Sequence, residues 1–196
     1  MNVLRAIKSS LHGRLVPLGI DIRRLRPDRQ VLERIIFPFL NDSPALARIL
    51  FVGCAWYTQH YPRIFAAKDF WTLECDPAQA RFGSRRHVID RCERVAAHFP
   101  PGHLDAVVCN GVYGYGLNDA GDLRRAGAGF HEVLRPGGLL IFGWNNVPAH
   151  DPLGLGVGRD GVVFPGFVPA RSSPFGGWRH EVPSRNRHTY EFLERA

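Results

Sequence analysis

Residues 49–62 read ILFVGCAWYTQHYP, and this stretch decides how the chain is read. Four apolar residues run into Gly53. A strand that ends on glycine is the usual entry to a nucleotide-binding turn, because a residue without a Cβ lets a ligand approach the backbone. The glycines that commonly follow at alternate positions are absent. Ala55 and Tyr57 stand there, with Trp56 between them. The chain therefore poses a choice between a working turn with altered residues and a broken one.

Strand and helix patterns alternate downstream of this turn. RILFV (48–52) reads as a buried strand, and Thr58 caps a helix reaching Phe65 or Ala67. FWTLE (70–74) is the second strand, and DPAQARFG follows it as a capped helical turn. Residues 86–89 form a third strand ending at Asp90. Pro100, Pro101 and Gly102 mark a turn before LDAVVCN (104–110), the fourth strand. Residues 119–134 form a helix with Leu123, Ala126, Phe130, Val133 and Leu134 on one face and Asn118 or Asp119 as its cap. Residues 135–138 stop it, and LLIFGW (139–144) is the fifth strand. Apolar runs without alternation mean strands buried on both faces. With helices between them, they predict a mostly parallel, doubly wound α/β sheet. Near the C-terminus, GWRHEV (177–182) and HTYEFLER (188–195), joined by PSRNR, read as an antiparallel hairpin.

Upstream, Leu4, Ile7, Leu11, Leu15 and Leu18 recur at helical spacing, with Arg5, Lys8 and Arg14 on the polar side. Gly19 stops this helix, and Arg23, Arg24, Arg26 and Arg29 form a basic connector. A second helix spans 28–40, with Val31, Leu32, Ile35 and Ile36 facing inward. The expected organisation is a helical cap or arm over 1–47 and a cofactor-binding unit over 48–196, compact as one domain. The arm either packs on the sheet, caps a substrate site, or makes a peripheral contact with a membrane surface.

The 196 residues carry 45% hydrophobic and 22% charged residues and a net charge of +7. That balance suits a soluble globular chain. The charge is uneven: residues 1–47 hold eight Arg or Lys against four Asp or Glu, leaving only +3 for the rest. No nucleic-acid motif accompanies it, so no nucleic-acid partner is expected. No apolar run is long enough to span a membrane, and no signal-peptide layout is present, so a cytoplasmic location is expected. Cys54, Cys75, Cys92 and Cys109 form no CxxC pair and no zinc-ligand spacing. They are expected to be reduced, with no metal site.

In a doubly wound sheet, ligands bind beyond the carboxyl ends of the strands. By position, Gly53 admits a cofactor, Glu74 accepts the hydroxyls of a ribose, and Asp90 meets the amine of a base. A dinucleotide needs GxGxxG, of which only Gly53 is present, and Trp56 and Tyr57 crowd a pyrophosphate. A sulfonium cation tolerates aromatic faces.

The order ILFVGCA, TLECDP, HVID, LDAVVCNG, EVLRPGGLLIFGW resembles the class I S-adenosylmethionine-dependent methyltransferases over about residues 48–144. Helix–LRPGG–strand (134–142) is the most specific piece, and acid–x–Asp–Pro at 74–77 is next. The resemblance implies a seven-stranded Rossmann-like sheet with a C-terminal β6–β7 hairpin. It implies S-adenosylmethionine as cofactor and methyl transfer to the O or N atom of a small-molecule or glycan-precursor acceptor. Gly53 and Ala55, with Cys54 and Trp56 beside them, would approach the methionine part. Glu74, with Cys75, would hold the ribose; Asp90, with Arg91, the adenine; Asn110 and Gly111 would line the methyl-transfer side. The family has an acid where Phe51 stands and glycine where Ala55 stands. Relatives acting on amines often carry (Asn/Asp)-Pro-Pro-Tyr where CNGVY keeps Asn110 and Tyr113. Tyr113, His60 and His150 are the catalytic candidates, the histidines as bases for an alcohol acceptor. His87, His98, His131 and His188 are expected to be structural or exposed, and Asp105 and Glu132 to cap or face solvent. Two other readings stay open: a different S-adenosylmethionine chemistry, such as cyclisation or elimination, and a non-catalytic binding subunit of the same fold.

Overall fold

The computed structural model describes residues 26–155 and 164–196. The helix expected over 2–18, its stop at Gly19, and Arg23 and Arg24 lie outside the described residues.

The five predicted parallel strands are β1 (Arg48–Val52), β2 (Asp69–Glu74), β3 (Arg86–Ile89), β4 (Leu104–Asn110) and β5 (Leu134–Asn145). They lie in the order β3-β2-β1-β4-β5, all parallel. Three more strands follow: β6 (Phe167–Pro169), β7 (Arg179–Glu181) and β8 (His188–Arg195). β8 runs antiparallel to β5, and β7 and β6 pair end to end along its outer edge. The predicted hairpin is thus present as β7–β8. Among the described residues the sheet has eight strands rather than seven, because its last position is shared by two short pieces. Between them the chain leaves the edge, and Phe175 folds back to stack on His180 (3.8 Å) and meet Phe192 (5.8 Å).

Alternate strand residues feed two cores. Ile49, Phe51, Ala106, Val108, Leu139 and Ile141 face α1 (27–42) and the one-turn helix α2 (Tyr61–Ile64). Leu50, Val52, Val107, Cys109, Leu140 and Phe142 face α3 (Ala120–Val133) and the 3-10 turn Cys92–Ala97. None of these strand residues is more than 7% exposed, which is why the strands read as unbroken apolar runs. A π turn at Leu32–Ile36 shifts the inward face of α1 by one residue. Leu32, Ile36, Phe37 and Leu40 are fully buried, whereas Ile35, expected inward, is 40% exposed.

The crossovers are shorter than expected. The helix expected from Thr58 breaks into a 3-10 turn (Trp56–Thr58) and α2. The Thr58 hydroxyl turns back, donating to the Ala55 carbonyl (2.8 Å) and accepting its N–H (3.1 Å). Asp76 caps the 3-10 turn Pro77–Phe82, and Asp119 caps α3 by accepting from Gly121 and Asp122.

β5 begins directly at Leu134, and its pairing with β4 is interrupted between Leu104 and Ala106. There Arg135 of LRPGG donates from Nε to Asp105 (2.9 Å). Asp105, expected to cap or face solvent, is only 4% exposed. It also accepts the Ala47 and Arg48 backbone N–H groups (3.1 and 2.8 Å) and the Arg48 guanidinium (3.1 Å). Burial raises its pKa, but the bonds from Arg48 and Arg135 outweigh that and hold it below the ordinary carboxylate value.

Candidate functional site

The carboxyl ends of β1 and β2 meet at the opening turn. Gly53 adopts φ +93° and donates its N–H to the Leu73 carbonyl (2.9 Å); a Cβ there would lie 3.2 Å from Val112. This is the one position of the turn where the backbone demands glycine. Ala55 is extended (φ −156°, ψ 169°), a conformation open to any residue, and Tyr57 lies within the 3-10 turn. The absent glycines are absent because this turn does not use left-handed residues there.

Glu74, half-buried at the tip of β2, joins the two strand ends. One carboxylate oxygen accepts the Cys54 N–H (2.9 Å), and the other accepts the Asp76 N–H (2.9 Å) and the Cys75 thiol (3.3 Å). A carboxylate has about four acceptor positions, so Glu74 keeps capacity for a ligand hydroxyl. Cys54 is buried, which pushes its thiol up to about 12. It is a small apolar packing residue rather than a nucleophile. Trp56 packs its ring edge-on to Tyr57 (5.3 Å).

Asp90 and Arg91 enter a network along the β3 edge. Asp90 accepts the Arg91 N–H (2.8 Å), faces His98 Nε2 (2.8 Å) and pairs with Arg94 (3.5 Å). The His98 bond is the main reason its carboxyl lies below the usual range. Arg91 is tied to Glu93 (2.8 Å) and Asp122 (3.3 Å).

The ends of β4, β5 and β8 meet at a second cluster. His188 Nε2 lies 2.9 Å from Asn110 Oδ1, and Nδ1 lies 2.8 Å from Asn145 Oδ1. Asn145 Nδ2 in turn donates to the Tyr115 hydroxyl (3.1 Å). His188 is 3% exposed, and burial lowers its pKa to about 4, so the ring is neutral at pH 7. Gly111 (φ +69°) anchors the loop by donating to the Gly143 carbonyl (2.9 Å). His150 stacks on Tyr115 (5.1 Å), which puts it in this cluster. Tyr113 is placed elsewhere. It is fully buried, its hydroxyl donates to Asp151 (2.7 Å) and accepts the Leu153 N–H (3.1 Å), and its ring meets Trp144 edge-on. Sequence reasoning passed over His188 and Asn145, whose partners lie tens of residues away in the chain.

α1 supplies a third cluster that sequence reasoning also missed. Phe51 is 2% exposed, packed edge-on against Phe37 (6.2 Å) and Tyr61 (5.1 Å). An unpaired carboxylate in that aromatic setting would cost several kcal/mol. Acid and base stand instead on α1. The Tyr61 hydroxyl donates to Glu33 (3.1 Å), His60 Nε2 faces Glu33 (3.4 Å), and Arg29 bonds Tyr61 while lying 4.2 Å over the Tyr57 ring. Burial raises the Glu33 pKa, but His60, Arg29 and Tyr61 bring it below its ordinary value.

Among the described residues there is no group of three metal-ligating side chains, and no helix is long and apolar enough to cross a membrane. No protein-family profile matches the chain, and no curated protein matches it in sequence. Its fold is found in solved structures. The N-methyltransferase NodS from Bradyrhizobium japonicum, in complex with S-adenosyl-L-homocysteine, aligns over 87% of this chain and 88% of its own (TM-score 0.57, 16% identity). A TehB-like S-adenosylmethionine-dependent methyltransferase from Corynebacterium glutamicum aligns over 98% of both chains (TM-score 0.54, 16% identity). TrmN from Thermus thermophilus aligns over 85% of this chain (TM-score 0.58, 14% identity), and this chain spans about half of TrmN, 48%. The fold is therefore the Rossmann-like fold of S-adenosylmethionine-dependent methyltransferases, as the strand order and reversed last strand indicate.

Proposed function

We propose that this chain is an S-adenosylmethionine-dependent methyltransferase acting on the O or N atom of a small-molecule or glycan-precursor acceptor. The observation that carries this reading is the junction of β1 and β2. A glycine that must stay glycine lies beside a half-exposed carboxylate with acceptor capacity left over, at the end of the sheet where this fold binds ligands. The likeness to a structure holding S-adenosyl-L-homocysteine supports the same ligand here.

Glu74 would take the ribose hydroxyls by releasing the Cys75 thiol while keeping its two backbone bonds to the turn. Glu33 and Arg29 offer the opposite charges that an amino-acid end requires, which supplies a substitute for the carboxylate displaced by Phe51. Asn110 and the two loops carrying Tyr115 and His150 would face the acceptor. The cofactor brings an electrophilic methyl group. The protein's part is to hold an acceptor atom in line with it and exclude water. His150, stacked on Tyr115, is the base within reach of an alcohol acceptor, whereas His60 is committed to Glu33. Asp90 would need to release His98 to meet adenine.

Titration calorimetry with S-adenosylmethionine and S-adenosylhomocysteine tests the reading. Binding of both is expected. Absence of both would remove this reading and that of a different S-adenosylmethionine chemistry, leaving the non-catalytic subunit. Turnover of bound cofactor to a product other than S-adenosylhomocysteine would favour cyclisation or elimination.

A further inference from the structure

The crossovers on either side of β2 are cut short. α2 is a single turn, and the connection to β3 is the 3-10 turn Pro77–Phe82. That turn touches the 3-10 turn Trp56–Thr58 near the carboxyl ends of the strands. Toward the amino ends the two connections part, and a cleft of about 430 Å³ opens between the residues after α2 and those before β3. Its volume suits a small ligand. Asp69 at the cleft lies five residues along β2 from Glu74. That is about 16 Å at a strand rise of about 3.3 Å per residue. The cleft is thus separate from the proposed cofactor site, at the other end of the strands.

Phe65 and Phe70, stacked at 4.7 Å and buried, supply its apolar lining. Around them stand three cations, Lys68, Arg85 and Arg86, against one carboxylate, Asp69, which leaves an excess of two positive charges. Asp69 is taken by Arg86 (2.5 Å), whose guanidinium also lies 5.4 Å over the Trp71 ring. Lys68 donates to the Ser43 carbonyl (2.7 Å) and keeps further N–H donors. Arg85 is exposed, and among the described residues nothing bonds or pairs with it. A guanidinium presents a planar fork of donors that fits the oxygens of a phosphate or a carboxylate. The charge excess separates those two: a phosphate monoester carries about −1.5 to −2 at neutral pH and matches it, whereas one carboxylate leaves a cation uncompensated.

We propose that this cleft binds a small phosphate ester. Arg85 takes the phosphate oxygens through its fork, Lys68 and Arg86 complete the charge, and the organic part lies along Phe65 and Phe70. No residue of the proposed cofactor site takes part, so the site stands whether or not the chain transfers methyl groups.

Phenyl phosphate is the probe, titrated into the full chain in phosphate-free buffer and followed by calorimetry and by 1H–15N backbone spectra. Saturable binding is expected, with the largest shifts at 68–70 and 84–86. Shifts confined to 53–56 and 74–76, or no saturation at millimolar ligand, overturn the proposal. Arg85→Ala should weaken binding by about tenfold, the worth of a hydrogen bond to a charged group, and Arg85→Lys should weaken it less. Because Arg85 is exposed, both variants are expected to unfold in urea as the unmodified chain does. Unchanged affinity in Arg85→Ala overturns the proposal. Benzenesulfonate, a monoanion of similar shape, should bind more weakly than phenyl phosphate, and equal affinity overturns the choice of a phosphate. An oligonucleotide that binds more tightly as it lengthens, while phenyl phosphate does not bind, would give the cleft to a nucleic-acid backbone and overturn the proposal.

Discussion

Asp105 and Glu74 sit at opposite ends of the sheet, and each accepts two backbone N–H groups. Asp105, beside the start of β4, adds two guanidinium groups, is 4% exposed, and has every acceptor position taken. Glu74, at the tip of β2, adds only a thiol and stays half-buried. One carboxylate is saturated and closes the fold; the other is left incomplete at the end where ligands bind. Saturation, rather than residue type, separates a structural acid from one available for chemistry.

The comparison is broken most easily at the closed end. Asp105→Ala should cost about 3 kcal/mol in urea unfolding, because it leaves two arginines and two backbone N–H groups without their acceptor. The surviving folded protein should bind S-adenosylhomocysteine as before. A loss of binding with little loss of stability would reverse the roles assigned to the two ends.

The open end is expected to respond to pH through His188. Its folded pKa, about 4, lies below the unfolded value of 6.5. The unfolded chain therefore binds the proton first. The associated stability is complete above pH 6.5 and is lost as pH falls toward 4. Between pH 7.5 and 5.0, unfolding free energy should drop by about 2 kcal/mol from this group. Glu33, Asp90 and Asp105, with depressed carboxyl pKa values, remain ionised over that window. His87 and His180, also lowered by burial, contribute in the same direction. His188→Phe should flatten the profile, and an unchanged slope would show that the ring is not held neutral.

Glu74→Ala has the smallest expected cost, and it falls on the ligand. Affinity for S-adenosylmethionine should weaken by at least tenfold, about 1.4 kcal/mol, with two ribose hydroxyls left unpaired. Unfolding should shift by less than that amount. Unchanged affinity in calorimetry would place the site elsewhere.

The same contrast explains what was legible in the chain. β1, β4 and β5 were legible because burial on both faces writes an unbroken apolar run, and Gly53 because its turn ends one. The split of the eighth strand position was not, since it depends on Phe175 returning to the core. Asp105 reads locally as a polar residue next to a strand end. Its partners at 47, 48 and 135 become visible only when β1, β4 and LRPGG lie side by side. The candidates Gly53 and Glu74 come together where the ends of β1 and β2 meet, and Asn110 and His150 fall in one cluster, linked through His188, Asn145 and Tyr115. His188 escaped because a lone histidine carries no periodic signal, whereas Arg29 and Glu33, paired at 3.7 Å, stand at the i,i+4 helical spacing and were legible but passed over. Phe51 looked like a missing carboxylate; in the structure it is an aromatic layer beneath a charge pair supplied by α1.

The shared edge along β8 has a consequence for behaviour at high concentration. A long straight edge invites another chain to add a strand. Here one border of the sheet is β3, four residues long, and the other is divided between β6 and β7, three residues each, with Pro169 lacking an N–H to offer. Among the described residues, neither border presents a ladder long enough to template a neighbour. A sheet of eight strands is thereby guarded against edge-to-edge aggregation by the shortness of its outermost pieces.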